Sequence, residues 1–266
     1  MPRGTGFRGP LFFSAPNLPF DGIPLDVANQ TFNRQHVSAV LGGASYNGPL
    51  AAGTDSGWVM TNIAGTGAVT VGNDGAFVLT TSTTAEDRTQ LQYKLAQFKY
   101  STTLNLSCFA RLKVSTAATT DAFFGLASVD TTVVTAAAGA VDVDDGIFFF
   151  KTATATDWTV TVIKDTTSTT ATTGLTIAND TYMIIGFTIV KGVIKWYAVS
   201  DSNDKFARPE ACIGSPSFLG NGTAIANTNA PDDTDLCLTV IAGQEGGTTA
   251  RVLTVDWAFA VQNTVA

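Results

Sequence analysis

The chain has 266 residues, 45% of them apolar and only 14% charged, with a formal net charge of −7 and a pI near 4.5. That acidic balance argues against a nucleic-acid backbone as partner, because such binding needs clustered Lys and Arg. No segment approaches the run of about 18 apolar residues that spans a bilayer, and the length suits one large domain whose core needs neither metal nor disulfide.

Residues 1–55 read as an extended N-terminal arm. They hold six of the nine prolines, and Pro2, Pro10, Pro16, Pro19 and Pro24 alternate with apolar and aromatic residues. Prolines at this density fix φ and remove backbone donors, so neither a helix nor a central strand can run through the segment. Its candidate partner-contacting residues are Arg3, Phe7, Arg8, Leu11, Phe12, Phe13, Leu18 and Phe20. The opening lacks a charged start followed by an unbroken apolar stretch, so a secretion signal is not expected. Residues 31–41 are a short piece that periodicity assigns to neither helix nor strand.

From residue 56 to 266 the pattern is that of a β domain. Threonine, valine, isoleucine and phenylalanine are plentiful, whereas glutamate occurs only at Glu86, Glu210 and Glu245; this vocabulary suits pleated, half-buried surface. Residues 68–71 and 76–81 form a predicted hairpin around Asn73-Asp74-Gly75, which supplies the positive φ of a tight turn. Over 103–114 the period is two: Leu104, Leu106, Cys108, Ala110, Leu112 and Val114 share one face, with Phe109 an exception on the other. Further strands are predicted at 122–127, 146–151, 157–164, 182–190, 193–199, 236–242 and 252–261, the fourth and fifth of these joined at Lys191-Gly192. The threonine-rich stretch 165–174 reads as a solvated hairpin tip. Many short strands between Gly, Asn, Asp and Thr turns make the class all-β, a sandwich.

The order Phe123–Ala127, Asp145–Phe150, Asp157–Val162, Met183–Ile189, Val193–Val199 and Leu253–Val261 resembles the concanavalin-like jelly-roll sandwich of legume lectins, laminin-G modules and laminarinases. It is particularly similar to versions of that fold in bacteriophage virion proteins. The resemblance implies a jelly-roll β-sandwich carrying the Pro-rich arm, and leaves function to be argued from side chains.

Glycoside hydrolysis needs two carboxylates flanking the scissile bond. Laminarinases place theirs in Glu-x-Asp-x-x-Glu on one strand, a pattern this sequence lacks; Glu86 and Asp87 are adjacent and point to opposite faces. Asp142, Asp144 and Asp145, and again Asp232, Asp233 and Asp235, are clustered as in calcium loops, but their spacing suits Asp-rich turns better. His36 with Ser38 has no acidic partner in its segment, and Gly42–Gly48 lacks the Lys-Ser/Thr ending of a phosphate loop. Cys108, Cys212 and Cys237 cannot all pair; Cys108 and Cys237 read as small buried apolar residues of a protein made in a reducing compartment. The sequons at Asn29, Asn105, Asn179 and Asn221 read as chance. Of the candidate sugar-platform aromatics, Trp158 groups with Val160 and Val162, and Trp257 with Val255 and Phe259, which makes both core; Trp58 remains a candidate, and Trp196 and Tyr197 face opposite ways.

No enzyme activity and no cofactor or metal are expected. The expectation is a virion structural protein, a bacteriophage capsid decoration (cement) protein that stabilises the shell through its arm. Its partners would be the major capsid protein or neighbouring virion subunits and other copies of itself, with no nucleic acid or membrane. It would be made in the host cytoplasm and located in the virion. The alternative is a carbohydrate-binding module of a phage tail or tail fibre, with a glycan as ligand. For the arm itself, the alternative is that it covers an open edge of its own sandwich.

Overall fold

Alternating side chains give a strand two unlike faces, and two such sheets can bury their apolar faces against each other. The computed structural model describes residues 30–32, 58–71, 76–94, 96–136, 139–203 and 222–264. In chain order its strands are β1 (Gln30–Phe32), β2 (Trp58–Ile63), β3 (Ala68–Val71), β4 (Phe77–Thr80) and β5 (Arg88–Tyr93). Then come β6 (Leu104–Val114), β7 (Thr120–Ala127), β8 (Gly146–Lys151), β9 (Asp157–Lys164) and β10 (Thr167–Thr176). The last are β11 (Met183–Val190), β12 (Val193–Ser200), β13 (Thr223–Ile225), β14 (Cys237–Gln244) and β15 (Val252–Thr264).

The strands form two antiparallel sheets. The first runs β13-β12-β11-β6-β15-β4-β3, with β1 also on β15; the second runs β10-β9-β8-β7-β14-β5-β2. One side of β15 pairs with β6, and the other takes β4 at Val252–Val255 and β1 at Ala258–Ala260. Three residues of the arm region, Gln30–Phe32, are therefore a strand of the first sheet. The other arm positions named above, Arg3 to Phe20, lie outside the described residues, as do His36, Ser38, Gly42–Gly48 and Cys212.

The core between the sheets follows the predicted parity. Leu106, Cys108, Ala110, Leu112 and Val114 of β6 meet Phe124 and Leu126 of β7, Ile147 and Phe149 of β8, and Trp158, Val160 and Val162 of β9. Lys191 and Gly192, both at positive φ (51° and 78°), close the β11–β12 hairpin as a two-residue turn, the geometry that matches strand twist.

Two expectations are corrected. The stretch 165–174 is not a solvated tip: only Asp165 and Thr166 turn, and Thr167 onward is β10, paired with β9. Trp257 does not share a face with Val255. The register of β15 against β6 shifts between Val255 and Trp257, a bulge at Asp256 that reverses the phase of the strand. Val255, Ala258 and Ala260 thus face the core. Trp257 and Phe259 face outward and stack at 5.8 Å, and Phe259 meets Phe109, the exception on β6, at 5.8 Å. All three aromatics are buried, on the far side of the first sheet from the core.

Candidate functional site

The outward face of the second sheet gathers the chain's polar chemistry. Parity places Arg88, Gln90 and Gln92 of β5 on it, beside Thr239, Ile241 and Gly243 of β14 and Asp121 and Phe123 of β7. All of these residues are buried, because the segment between β7 and β8 lies across them. Val133, Val134 and Val143 of that segment pack on Phe123, Phe148, Ile163 and Ile241. The segment is folded on itself, with Asp142 N donating to Val133 O and Thr135 N to Ala140 O (2.9 Å each).

Side-chain amides fasten it down. Gln92 Nε2 donates to Ser128 O (3.0 Å) and Gln90 Nε2 to Asp130 O (2.5 Å). In return Asp130 N donates to Gln92 Oε1 and Val133 N to Gln90 Oε1, each at 3.1 Å. Each glutamine thus uses donor and acceptor together, which answers the backbone groups on the side of the segment turned to the sheet.

At one end of this face sits an ion pair. Arg88 Nη2 lies 2.7 Å from Asp121 Oδ2 and 3.5 Å from Glu86 Oε2, with the Arg88 and Asp121 side chains 0% and 2% exposed. Arg88 also donates to the carbonyls of Asp87 (3.2 Å), Gln244 (2.5 Å) and Ala136 (3.4 Å), the last in the covering segment. Burial pushes the Asp121 carboxyl above its ordinary value, against the pull of Arg88 and of the Ala153 amide that it accepts at 2.5 Å. Gly139 and Gly243 press on this pair: a Cβ on Gly243 would meet Arg88 Cδ at 2.4 Å. Nearby Lys151 is buried with its ammonium on the carbonyls of Thr120, Thr152 and Ala153 (3.0, 2.9 and 3.3 Å), and burial lowers it to about 8.

A second charged group lies on the outward face of the first sheet. Arg111 of β6 bonds Asp201 through Nε and Asp256 through Nη1, both at 2.7 Å. Burial alone would lower its pKa, but the two carboxylates outweigh that and raise it. Its guanidinium sits 3.7 Å over the Tyr182 ring, and Lys113 Nζ lies 4.8 Å from the same ring. Asp256 is the bulge residue, so the kink in β15 is what turns this carboxylate toward Arg111.

The sequence-predicted groups are distributed as follows. Asp145 is buried and accepts from Thr234 Oγ1 (3.1 Å) and Asp165 N (3.4 Å), so the two Asp-rich loops meet as a hydrogen-bonded turn cluster. Lys164 pairs with Asp232 (2.5 Å) and Asp233 (3.3 Å) at the surface. Among the described residues no three His, Cys, Asp or Glu converge as a metal-binding group. Trp158 is in the core with its indole N–H on Met183 Sδ (2.9 Å), and half-buried Trp58 stacks edge-on with Tyr93 at 5.2 Å. Trp196 packs toward the core and Tyr197 faces Phe109 on the other side (5.6 Å), as their adjacency requires. Asp87 takes the Ser82 amide while Glu86 turns to Arg88. Sequence reasoning missed both arginine clusters; the signal available was that Arg88 and Arg111 each stand on the polar parity of a strand.

Chemically these groups neutralise one another. Asp121, the carboxylate facing outward near the start of the central strand β7, is held by Arg88 and a backbone amide beneath the covering segment, which is the arrangement of a structural ion pair rather than of a proton donor open to substrate.

No family model matches the chain, and no curated protein matches it in sequence. Among solved structures it is similar to an endo-1,3-beta-glucanase from Streptomyces sioyaensis, at 11% identity over 81% of this chain and 100% of that one, with a TM-score of 0.51. It is also similar to lectin UEA-II complexed with galactose (11% identity, 80% and 95% covered, TM-score 0.51). Peanut lectin, solved with a 9mer peptide, is a third (11% identity, 82% and 96% covered, TM-score 0.50). Likeness at this identity shows the fold, which is the concanavalin-like jelly roll that the strand order resembles.

Proposed function

We propose that the chain is a non-catalytic structural protein of a bacteriophage particle, a decoration subunit that sits on the capsid and grips it through its N-terminal arm. The observation that carries this reading is the covered face. A ligand-binding jelly roll offers an open concave surface with convergent polar groups; here the glutamines and the arginine of the second sheet hold the chain's own segment instead. Contact then falls to other surfaces, of which the sequence singles out the arm. The arm's root is tied at β1, upstream of which stand the prolines and the anchors Phe7, Leu11, Phe12, Phe13, Leu18 and Phe20. Proline-fixed φ lowers the entropy lost on docking, and each anchor buried contributes roughly 1.5–3 kcal/mol.

The test is deletion of residues 1–24, which spares β1, followed by co-sedimentation with capsids and a glycan array on the same protein. The reading expects a folded protein that no longer decorates shells and binds no glycan. Unchanged capsid occupancy without the arm would overturn it. Glycan binding without capsid association would transfer the chain to the carbohydrate-binding class suggested by its lectin-like fold.

A further inference from the structure

The second sheet ends, among the described residues, at β10, ten residues that carry no charge and no proline. Among the described strands at sheet edges, β13 has three residues, β3 four and β2 six, so β10 is the longest. Monomeric sandwiches blunt such edges with Lys, Pro, short strands or bulges. Here the ladder against β9 stays regular from Thr167 to Thr172, and the irregularity comes only after it, between Thr172 and Thr176.

The turn fixes which backbone groups point outward. Asp165 and Thr166 both have positive φ (47° and 65°) and link Lys164 to its partner Thr167. In a two-residue turn of this kind the flanking pair exchanges hydrogen bonds, and bonded and non-bonded pairs then alternate along the ladder. Thr167, Thr169 and Ala171 therefore bond to β9, while Ser168, Thr170 and Thr172 direct their N–H and C=O groups away from it. The same three residues have exposed side chains, on the outward face, since Ala171 and Leu175 pack toward the core.

We infer that β10 is a self-pairing edge: two copies of the chain join antiparallel through Ser168–Thr172 about a twofold axis at Thr170, making one continuous sheet across the dimer. A twofold normal to the sheet keeps outward faces outward and requires partners of equal parity. The register centred on Thr170 satisfies this and sets Ser168 opposite Thr172 and Thr170 opposite itself. All outward-pointing groups are then matched, with about two hydrogen bonds for each bonded pair. A second copy suits this edge better than a foreign strand because the stretch is nearly palindromic in chemistry, hydroxyl facing hydroxyl across the axis. The stretch also carries no charge, so self-pairing sets no like charges directly opposite one another.

Sedimentation velocity of the full chain over a wide concentration range reads the proposal, with three variants. Thr170→Lys sets two ammonium groups beside the axis, and Thr170→Pro removes an N–H that β9 does not use. Thr170→Cys puts a thiol opposite itself, with Cα atoms about 5.5 Å apart as in a bonded pair, within the span of a short bis-thiol-reactive cross-linker. The expected results are a wild-type dimer, at least about a tenfold weaker dissociation constant in T170K and T170P with circular dichroism unchanged, and a cross-linked covalent dimer for T170C but not for a Val129→Cys control. If T170P fails to fold, T170K and T170C decide. A wild type that stays monomeric, or a dimer indifferent to T170K, or T170C that does not cross-link would overturn the inference.

Discussion

Replacing Arg88 by Met is the sharpest probe of the covered face. Methionine keeps most of the side-chain volume and removes the guanidinium. Lost with it are the 2.7 Å pair with Asp121 and the bonds to the carbonyls of Asp87, Gln244 and Ala136. Asp121 is left 2% exposed, with the Ala153 amide and the weaker pull of Lys151 but without the guanidinium in contact with it. Breaking a buried pair from one side in this way costs about 3–5 kcal/mol, a large share of the stability of an ordinary domain. Removing both partners, as Arg88→Met with Asp121→Leu, costs much less than the sum, because no charge is stranded; the coupling should be at least about 2 kcal/mol.

The deficit also depends on pH, with a definite sign. The folded-state pKa of Asp121 is already raised from 3.8 by burial, and loss of Arg88 raises it further. A carboxyl with a raised folded pKa contributes stability that is fully present below the unfolded value and is lost as pH rises through the folded one. Arg88→Met should therefore cost less in acid, where only the carbonyl bonds are missing, and show its full cost at pH 7. Urea unfolding followed by tryptophan fluorescence at both pH values gives the numbers. A loss under about 1 kcal/mol at pH 7, or one that does not change with pH, would mean that the pair is solvated and the face open.

Removing the fastening amides together, Gln90→Ala with Gln92→Ala, should raise hydrogen exchange in residues 128–135 while leaving β7 and β14 protected, and lower stability by about 2–4 kcal/mol for the bonds lost. In a Cys212→Ser background the native protein should resist thiol reagents at pH 8 and titrate two thiols once unfolded. Burial raises the Cys108 thiol well above its ordinary value and the Cys237 thiol to about 12, and the thiolate is the reactive form.

The sequence made β6 legible because its two faces differ in hydropathy at every step but Phe109. β10 was hidden because threonine stands on both its faces; only Ala171 and Leu175 mark the side that packs inward. In β5 the alternation of Arg88, Gln90 and Gln92 with Thr89, Leu91 and Tyr93 was present, but the burial of the polar set depends on a segment that returns some 40 residues later, with separations of 38 and 43 in the bonds themselves. Trp257 was assigned to the wrong side because one extra residue at Asp256 inverts a period of two, and a bulge leaves no mark in composition. The Arg111 cluster joins groups 90 and 145 positions apart; no spacing rule links them, since sheet order alone puts β15 on one flank of β6 and β11 on the other, with Asp201 just past the end of β12 beyond it.

The covered face also bears on which ligands the fold can serve. A sugar reaching Asp121 would have to displace the segment that packs on Phe123, Phe148, Ile163 and Ile241. Exposing those side chains and breaking the Gln90, Gln92 and Arg88 bonds costs on the order of 10 kcal/mol. Millimolar to micromolar binding supplies only about 4–8 kcal/mol, so a glycan of ordinary affinity cannot open this face. A partner that pairs with the β10 edge meets no such barrier, because its outward-pointing backbone groups need no rearrangement of the sandwich. On these magnitudes the outward face of the second sheet is part of the protein's own packing, and a glycan would have to use another surface of the sandwich.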